Sequence, residues 1–196
     1  SIRLDYTFVE QANDNEGQGS QSCYSLSQTY VRGNQSITGL PQCSDNPPVP
    51  YDACVGYCDN TNDLVQADVV AFVKDLLNSA ANTLSSLFTV KDSAGWEGVP
   101  AGVQRCQYLQ NYGVNIPSSY RAANAGSNYD TVIFVTMRPL ESYINGQGMY
   151  CLTSDTTGRP IMGVLNIPPH LTLQTNTTIQ SYMLRGMYDI RMFCSA

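Results

Sequence analysis

Apolar residues recur along the chain with two different periods, and each period predicts a different element. Ile2, Leu4, Tyr6 and Phe8 alternate with Arg3, Asp5 and Thr7, which is the two-residue period of a half-buried strand. Asp63 to Phe88 instead carries Leu64, Val69, Val73, Leu77, Ala80 and Leu84 on one stripe at helical spacing, with Asn62 or Asp63 as its cap. A helix of that length must lie on something extended, such as a sheet face. Val132 to Met137 and Ile161 to Ile167 are β-branched, apolar runs suited to central strands, and Gly148 to Leu152 is a shorter strand. A second helix is predicted over Thr177 to Ala196. There Ile179, Met183, Met187, Ile190 and Phe193 stand three or four apart, and Asn176 or Thr177 serves as cap. Between these elements, Gln11 to Ser22 reads as a polar loop and Ser25 to Pro50 as an irregular region with room for a hairpin. Lys91 to Gly126, with Trp96 and many turn residues, reads as a long connection held by Cys106. The order strand, helix, strands, helix predicts an α+β domain with a mixed sheet and two helices behind it. At 196 residues the chain suffices for one such domain.

Three stretches also carry a resemblance, and they come in a fixed order. Tyr129-Asp130-Thr131-Val132-Ile133-Phe134-Val135-Thr136 is similar to a D-x-V-x-Y-V strand. Gly158-Arg159-Pro160-Ile161-Met162-Gly163-Val164-Leu165-Asn166-Ile167-Pro168 is similar to a G-x-P-x-x-G-x-I-N-I-P strand. Arg185-Gly186-Met187-Tyr188-Asp189-Ile190-Arg191-Met192-Phe193 aligns with an HExxH helix whose apolar tail ends in Phe. Together they resemble the N-terminal catalytic portion of leishmanolysin-type zinc metallopeptidases. The resemblance implies a zincin-like, more narrowly metzincin-like, subdomain, with a mixed twisted sheet backed by the long helix and joined by the active-site helix. It also implies a single domain over residues 1–196 that ends just after that helix, without the C-terminal part that completes the family fold.

The departure from the family lies in the chemistry. An HExxH helix works because two imidazoles one turn apart grip zinc while the glutamate between them activates a metal-bound water. Here those positions hold Arg185, Gly186 and Asp189. Arginine cannot become a ligand, glycine has no side chain, and one aspartate is a weak hold on zinc. The expectation is therefore a degenerate motif, no zinc and no catalytic residue. Composition agrees independently, because His170 is the only histidine and a two-imidazole site cannot be assembled from this chain. Flanked by Pro168 and Pro169, His170 itself reads as a loop residue. Arg185 and Asp189 read either as an ion pair worth roughly 0.2–0.5 kcal/mol or as two solvated charges. No G-x-S-x-G elbow accompanies His170, and no phosphate-cradling glycine loop occurs.

Charge and composition narrow the partners. A net charge of −6 disfavours nucleic acid and anionic membrane surfaces. No apolar run approaches the roughly eighteen residues that a membrane-spanning helix needs. Charged residues make up only 13%, about half the usual share, so the polar surface comes from Asn, Gln, Ser, Thr and Tyr and suits a cover of protein or glycan. The chain opens at Ser1 directly in strand-like alternation and reads as a processed or trimmed product. Asn34-Gln35-Ser36 and Asn176-Thr177-Thr178 make Asn34 and Asn176 glycosylation candidates, and with the cysteines they point to a secreted or cell-surface location.

Seven cysteines are an odd set, so at least one lacks a partner within the chain. The resemblance implies Cys23 with Cys43 and Cys106 with Cys151, leaving Cys54 and Cys58 for each other. Cys194 is then either linked to another chain, or to a part of the protein beyond this one, or is a buried thiol. The apolar face of the terminal helix calls for a cover, supplied by the remainder of a cleaved precursor or by another subunit. The function expected is that of a pseudopeptidase: a structural or protein-binding subunit of an extracellular assembly, with other protein chains as partners. By resemblance, a bound peptide would lie along Gly148, Met149, Tyr150, Cys151 and Leu152, with Tyr143, Tyr150, Tyr182 and Tyr188 as aromatic contacts. The alternative is an active zinc metalloendopeptidase, or a fragment of one completed by another chain.

Overall fold

The computed structural model describes residues 1–16, 19–33, 38–43, 53–87, 95–109, 112–124, 127–140 and 146–173, together with 178, 181–183 and 185. In chain order the strands are β1 (Ile2–Asp5), β2 (Asn15–Glu16), β3 (Gly19–Ser20), β4 (Thr29–Arg32), β5 (Cys54–Tyr57), β6 (Arg105–Leu109), β7 (Tyr112–Asn115), β8 (Thr131–Thr136), β9 (Gln147–Thr153) and β10 (Pro160–Asn166). One long helix, α1 (Ala67–Leu87), lies between β5 and β6. The main sheet has the order β1-β8-β10-β9. β1, β8 and β10 run parallel, and β9 is antiparallel to β10 at the edge. The remaining strands form three two-stranded ribbons.

Strand alternation splits the core into two layers, one on each face of the sheet. Ile133, Val135, Leu165 and Ile167 point to the face covered by α1, where they meet Val73, Leu77, Ala80 and Leu84. Val132, Phe134, Met162 and Val164 point to the other face, against Trp96, Val99, Val114 and Tyr120. The predicted central strands are thus apolar on both sides because both sides are covered. Trp96 anchors the second layer by donating its indole N–H to the Tyr120 carbonyl at 2.9 Å.

The helix begins later than its apolar stripe does. Leu64 and Val65 are extended, because Leu64 forms a bridge with Cys23 and the Val65 N–H bonds the Cys23 carbonyl at 2.7 Å. Asn62 and Asp63, expected to cap this helix, lie instead in the 3-10 turn Thr61–Asp63 ahead of it, and Asn60 caps that turn, its side-chain oxygen accepting from the Asn62 N–H. Gln11 to Ser22 is likewise more than a loop, since β2 pairs with β3 within it. The irregular region holds one side of a longer-range pair, β4 with β5. The long connection contains the β6–β7 hairpin, which carries Cys106.

The disulfides are Cys23–Cys58, Cys43–Cys54 and Cys106–Cys151. Cys106–Cys151 is the pairing that the resemblance implied, whereas Cys23–Cys43 and Cys54–Cys58 do not form. The reason is geometric. Cys54 opens β5 and Cys58 follows its end, so four extended residues at about 3.3 Å each put them near 13 Å apart, beyond the roughly 7 Å a disulfide spans. Residues 41–43 lie beside β5, with the Cys43 N–H on the Val55 carbonyl at 2.8 Å, which brings Cys43 to Cys54. Cys194, Asn34 and Asn176 lie outside the described residues.

Candidate binding site along the edge strand

β9 is the only antiparallel member of the main sheet, and no strand pairs with its outer side among the described residues. Its seven residues are half-buried except for Met149, which is 40% exposed. The pairing with β10 carries two compensating irregularities: the register steps from Pro160 to Met162 against Thr153 to Leu152, and from Met162 to Gly163 against Leu152 to Tyr150. Ile161 and Cys151 are therefore supernumerary, each on its own strand. This accounts for Ile161 and Met162 facing the same layer, and it leaves Cys151 free to bond Cys106 on the β6–β7 hairpin. The disulfide ties the edge strand to the layer beneath it. Tyr150 packs on the opposite, α1-side core.

The carboxy-terminal end of β10 is locked to β8 by one side chain. The Asn166 Oδ1 accepts from the Thr136 hydroxyl and from the Arg138 N–H, each at 2.8 Å, and Asn166 Nδ2–H donates to the Arg138 carbonyl at 3.1 Å. Only a side chain that both donates and accepts closes this set, which gives the Asn of the Gly158–Pro168 stretch a physical role. Arg138 continues the network. It donates to the buried Asp14 carboxylate at 3.1–3.2 Å and to the Gly113 carbonyl at 2.8 Å, while the Ser22 hydroxyl donates to Asp14. Asp14 and Arg138 gave no signal in the sequence, because a loop carboxylate and an arginine 124 residues apart share no period.

From this lock the chain passes through the 3-10 turn Pro169–Leu173 into helical residues 178, 181–183 and 185. Met183 is fully buried and joins the core of α1, Ile167 and Leu171. Through Met183 the described part of the second predicted helix thus packs on the α1 side, the side that Tyr150 of β9 also faces. Arg185 is exposed and makes no ion pair among the described residues. Tyr182 is 38% exposed. Gly186, Asp189, Tyr143 and Tyr188 lie outside the described residues, as does the partner that the Arg185–Asp189 reading needed.

A small cleft opens at the far end of β9. Thr153 and Asp155 form one side, Glu97, Val99 and Pro100 the other, and Ile161 lies at its floor, enclosing about 230 Å³. Nothing in the sequence pattern marked these residues as a group, since they come from three separate segments.

Metal chemistry can be judged from the donor set. His170 sits in the 3-10 turn with Nδ1 3.4 Å from an Asp63 carboxylate oxygen. Six of the seven cysteines are in disulfides. Among the described residues no three His, Cys, Asp or Glu side chains gather in a group that could hold a metal ion. With one histidine in the chain, these residues do not fit a zinc site built on two imidazoles.

A parallel core sheet with one antiparallel edge strand, and two helical segments packed on one face, define an α+β domain of the metzincin type. A family model described as leishmanolysin matches residues 50–187, more than two thirds of the chain, and the chain belongs to the leishmanolysin family. Comparison with curated proteins finds no match. Three disulfides are present, and no helix among the described residues is long and apolar enough to cross a membrane.

Proposed function

We propose that this chain is a catalytically silent member of the leishmanolysin family, a pseudopeptidase that serves as a protein-binding or structural subunit outside the cell. One observation carries the reading: the positions that would grip and use zinc hold Arg185, Gly186 and Asp189, in a chain with a single histidine. The outer side of β9, with which no strand pairs among the described residues, supports a binding role, because an extended segment from another chain gains main-chain hydrogen bonds by adding to a sheet edge. Gly148, Met149, Tyr150, Cys151 and Leu152 form that edge, and Tyr182 is an exposed aromatic on the neighbouring helix. The disulfides and the scarcity of charge support a secreted or cell-surface setting, with other subunits or the rest of the precursor as partners. Asn34 and Asn176 would carry glycan there.

The test is metal analysis after exhaustive dialysis, paired with a peptide-cleavage assay. No retained zinc and no cleavage is the expected result. Family membership favours a second reading, an active zinc metalloendopeptidase or a fragment completed by another chain. Stoichiometric zinc with cleavage abolished by chelation would establish it and overturn the first. Sizing of the native material separates the binder, a monomer, from the structural subunit, an obligate oligomer.

A further inference from the structure

We propose that Met149 is an oxidation site, where a hydroperoxide converts the thioether to the sulfoxide and thereby weakens capture of an extended segment along β9. The proposal rests on strand addition as argued above and adds a control over it.

Accessibility singles this residue out. Met149 is 40% exposed, whereas Met137, Met162 and Met183 are fully buried, and Met187 and Met192 lie outside the described residues. A thioether reacts only where the oxidant can reach its sulfur. Competing thiols are scarce, because six of the seven cysteines are in disulfides.

Position gives the modification a consequence. Met149 stands opposite Val164 of β10, and directly opposed residues of an antiparallel pair share a face. Val164 lies in the Trp96 layer and is only 1% exposed, yet Met149 beside it belongs to neither core cluster. The cover over that face therefore ends between the two strands. On the other flank of Met149 is the outer side of β9, with which no strand pairs among the described residues. A strand added there would set one side chain opposite Met149, at the about 4.5–5.5 Å between Cβ atoms of cross-strand neighbours. Met149 is the one exposed large apolar side chain that β9 offers to it. The next two residues are held elsewhere, Tyr150 in the α1-side core and Cys151 in its disulfide with Cys106, so β9 keeps its place when Met149 is modified.

The chemistry needs no help from neighbouring groups. The sulfur lone pair attacks one oxygen of the peroxide and the O–O bond breaks. The other oxygen leaves as hydroxide and takes the remaining proton to become water. Sulfur is oxidised by two electrons, and the peroxide is reduced by two. A polar S=O group then replaces a soft apolar sulfur, and covering it with a strand strips it of water. Because the side chain lies outside both cores, the loss falls on binding and not on folding. The coupling is reciprocal, so a segment that covers Met149 also shields its sulfur.

The test treats the native chain, disulfides intact, with dilute hydrogen peroxide and follows each methionine by peptide mass mapping. Met149 should gain one oxygen on the order of ten-fold faster than Met137, Met162 or Met183. A blocked peptide of alternating threonine and valine, titrated by NMR into isotope-labelled protein, is expected to shift amides of 147–153. After oxidation it should bind about two- to five-fold more weakly, the range of one cross-strand contact, and methionine sulfoxide reductases should restore the affinity. Excess peptide should in turn slow oxidation of Met149. In Met149→Leu, peroxide should no longer change the affinity, which separates this sulfur from every other. The melting temperature should be the same before and after oxidation; a fall would place the effect on the fold and overturn the proposal. Oxidation of Met149 no faster than that of the buried methionines, or an affinity indifferent to it, would also overturn the proposal while strand addition stands. If the peptide shifts β9 in neither state, strand addition itself fails and the control with it.

Discussion

Asn166 offers the sharpest check on how the site is held. Asn166→Ala removes an acceptor shared by the Thr136 hydroxyl and the Arg138 N–H, and a donor to the Arg138 carbonyl, at a position only 1% exposed. Truncation takes from the two buried backbone groups of Arg138 the bonds that Asn166 supplies, and each such loss costs about 1–3 kcal/mol. The expected loss is therefore about 3–5 kcal/mol, on the order of 10 °C in melting temperature for a domain of this length. Thr136→Val removes one of the three bonds and leaves Asn166 still held by Arg138, so about 1 kcal/mol is expected. The two losses should not add, because once Asn166 is gone the Thr136 hydroxyl has no amide to bond. Urea unfolding of both single variants and the double variant, with disulfides intact, measures all of this. Additive losses, or an Asn166→Ala variant within about 1 kcal/mol of the parent, would refute the view that this amide clasps β8 to β10.

Other outcomes follow from the same structure. Arg138→Met removes a paired guanidinium from the fully buried Asp14 carboxylate and should cost about 3–5 kcal/mol by urea unfolding, a loss partly recovered when Asp14→Leu is added. Removing Cys106–Cys151, which closes 45 residues, should destabilise by about 4 kcal/mol, against about 3 for Cys43–Cys54, which closes 11; both figures follow from loop entropy. Burial raises the phenol of Tyr120 above its ordinary range, helped by its hydrogen bond to Asp5. A group whose folded pKa is raised contributes its full stability below the unfolded value. Stability should therefore fall above about pH 10, by up to about 1.4 kcal/mol per pH unit from this residue, and Tyr120→Phe should flatten the slope.

Much of the architecture was legible in the sequence because it depends on distributed patterns. Val132 to Met137 and Ile161 to Ile167 show as continuous apolar runs, and that is how strands covered on both faces read. The stripe from Val69 to Leu84 needs no partner's identity to be recognised as helical. What escaped depends on which distant segments meet. The stripe overran the start of α1, because Leu64 and Val65 are apolar in either conformation and it is pairing with Cys23 that extends them. Cysteine spacing could not select Cys23–Cys58, since the choice is made by the strand between Cys54 and Cys58. The cleft between Glu97 and Asp155 depends on a bulged edge strand meeting a loop that is distant in sequence.

On the reading proposed above, the same contrast explains how a family fold could persist without its family chemistry. The core is held by many side chains, each replaceable by another apolar residue at a cost of about a kilocalorie when volume is kept. Met183 illustrates this: it is buried among Ile167, Leu171 and α1, two residues before Arg185, which is exposed and takes no part in that cluster. A metal site has no such tolerance, because its affinity resides in a few ligands of fixed type and geometry. Loss of an imidazole would remove the chemistry without removing the apolar contacts that a residue such as Met183 makes. A converse experiment separates the two layers of information. Restoring histidine at 185 and 189 and glutamate at 186 should leave the melting temperature within a few degrees of the parent if packing and site are independent. A collapse of the fold on those exchanges would mean that the present residues hold the helix in place, and that the site was rebuilt for a structural purpose.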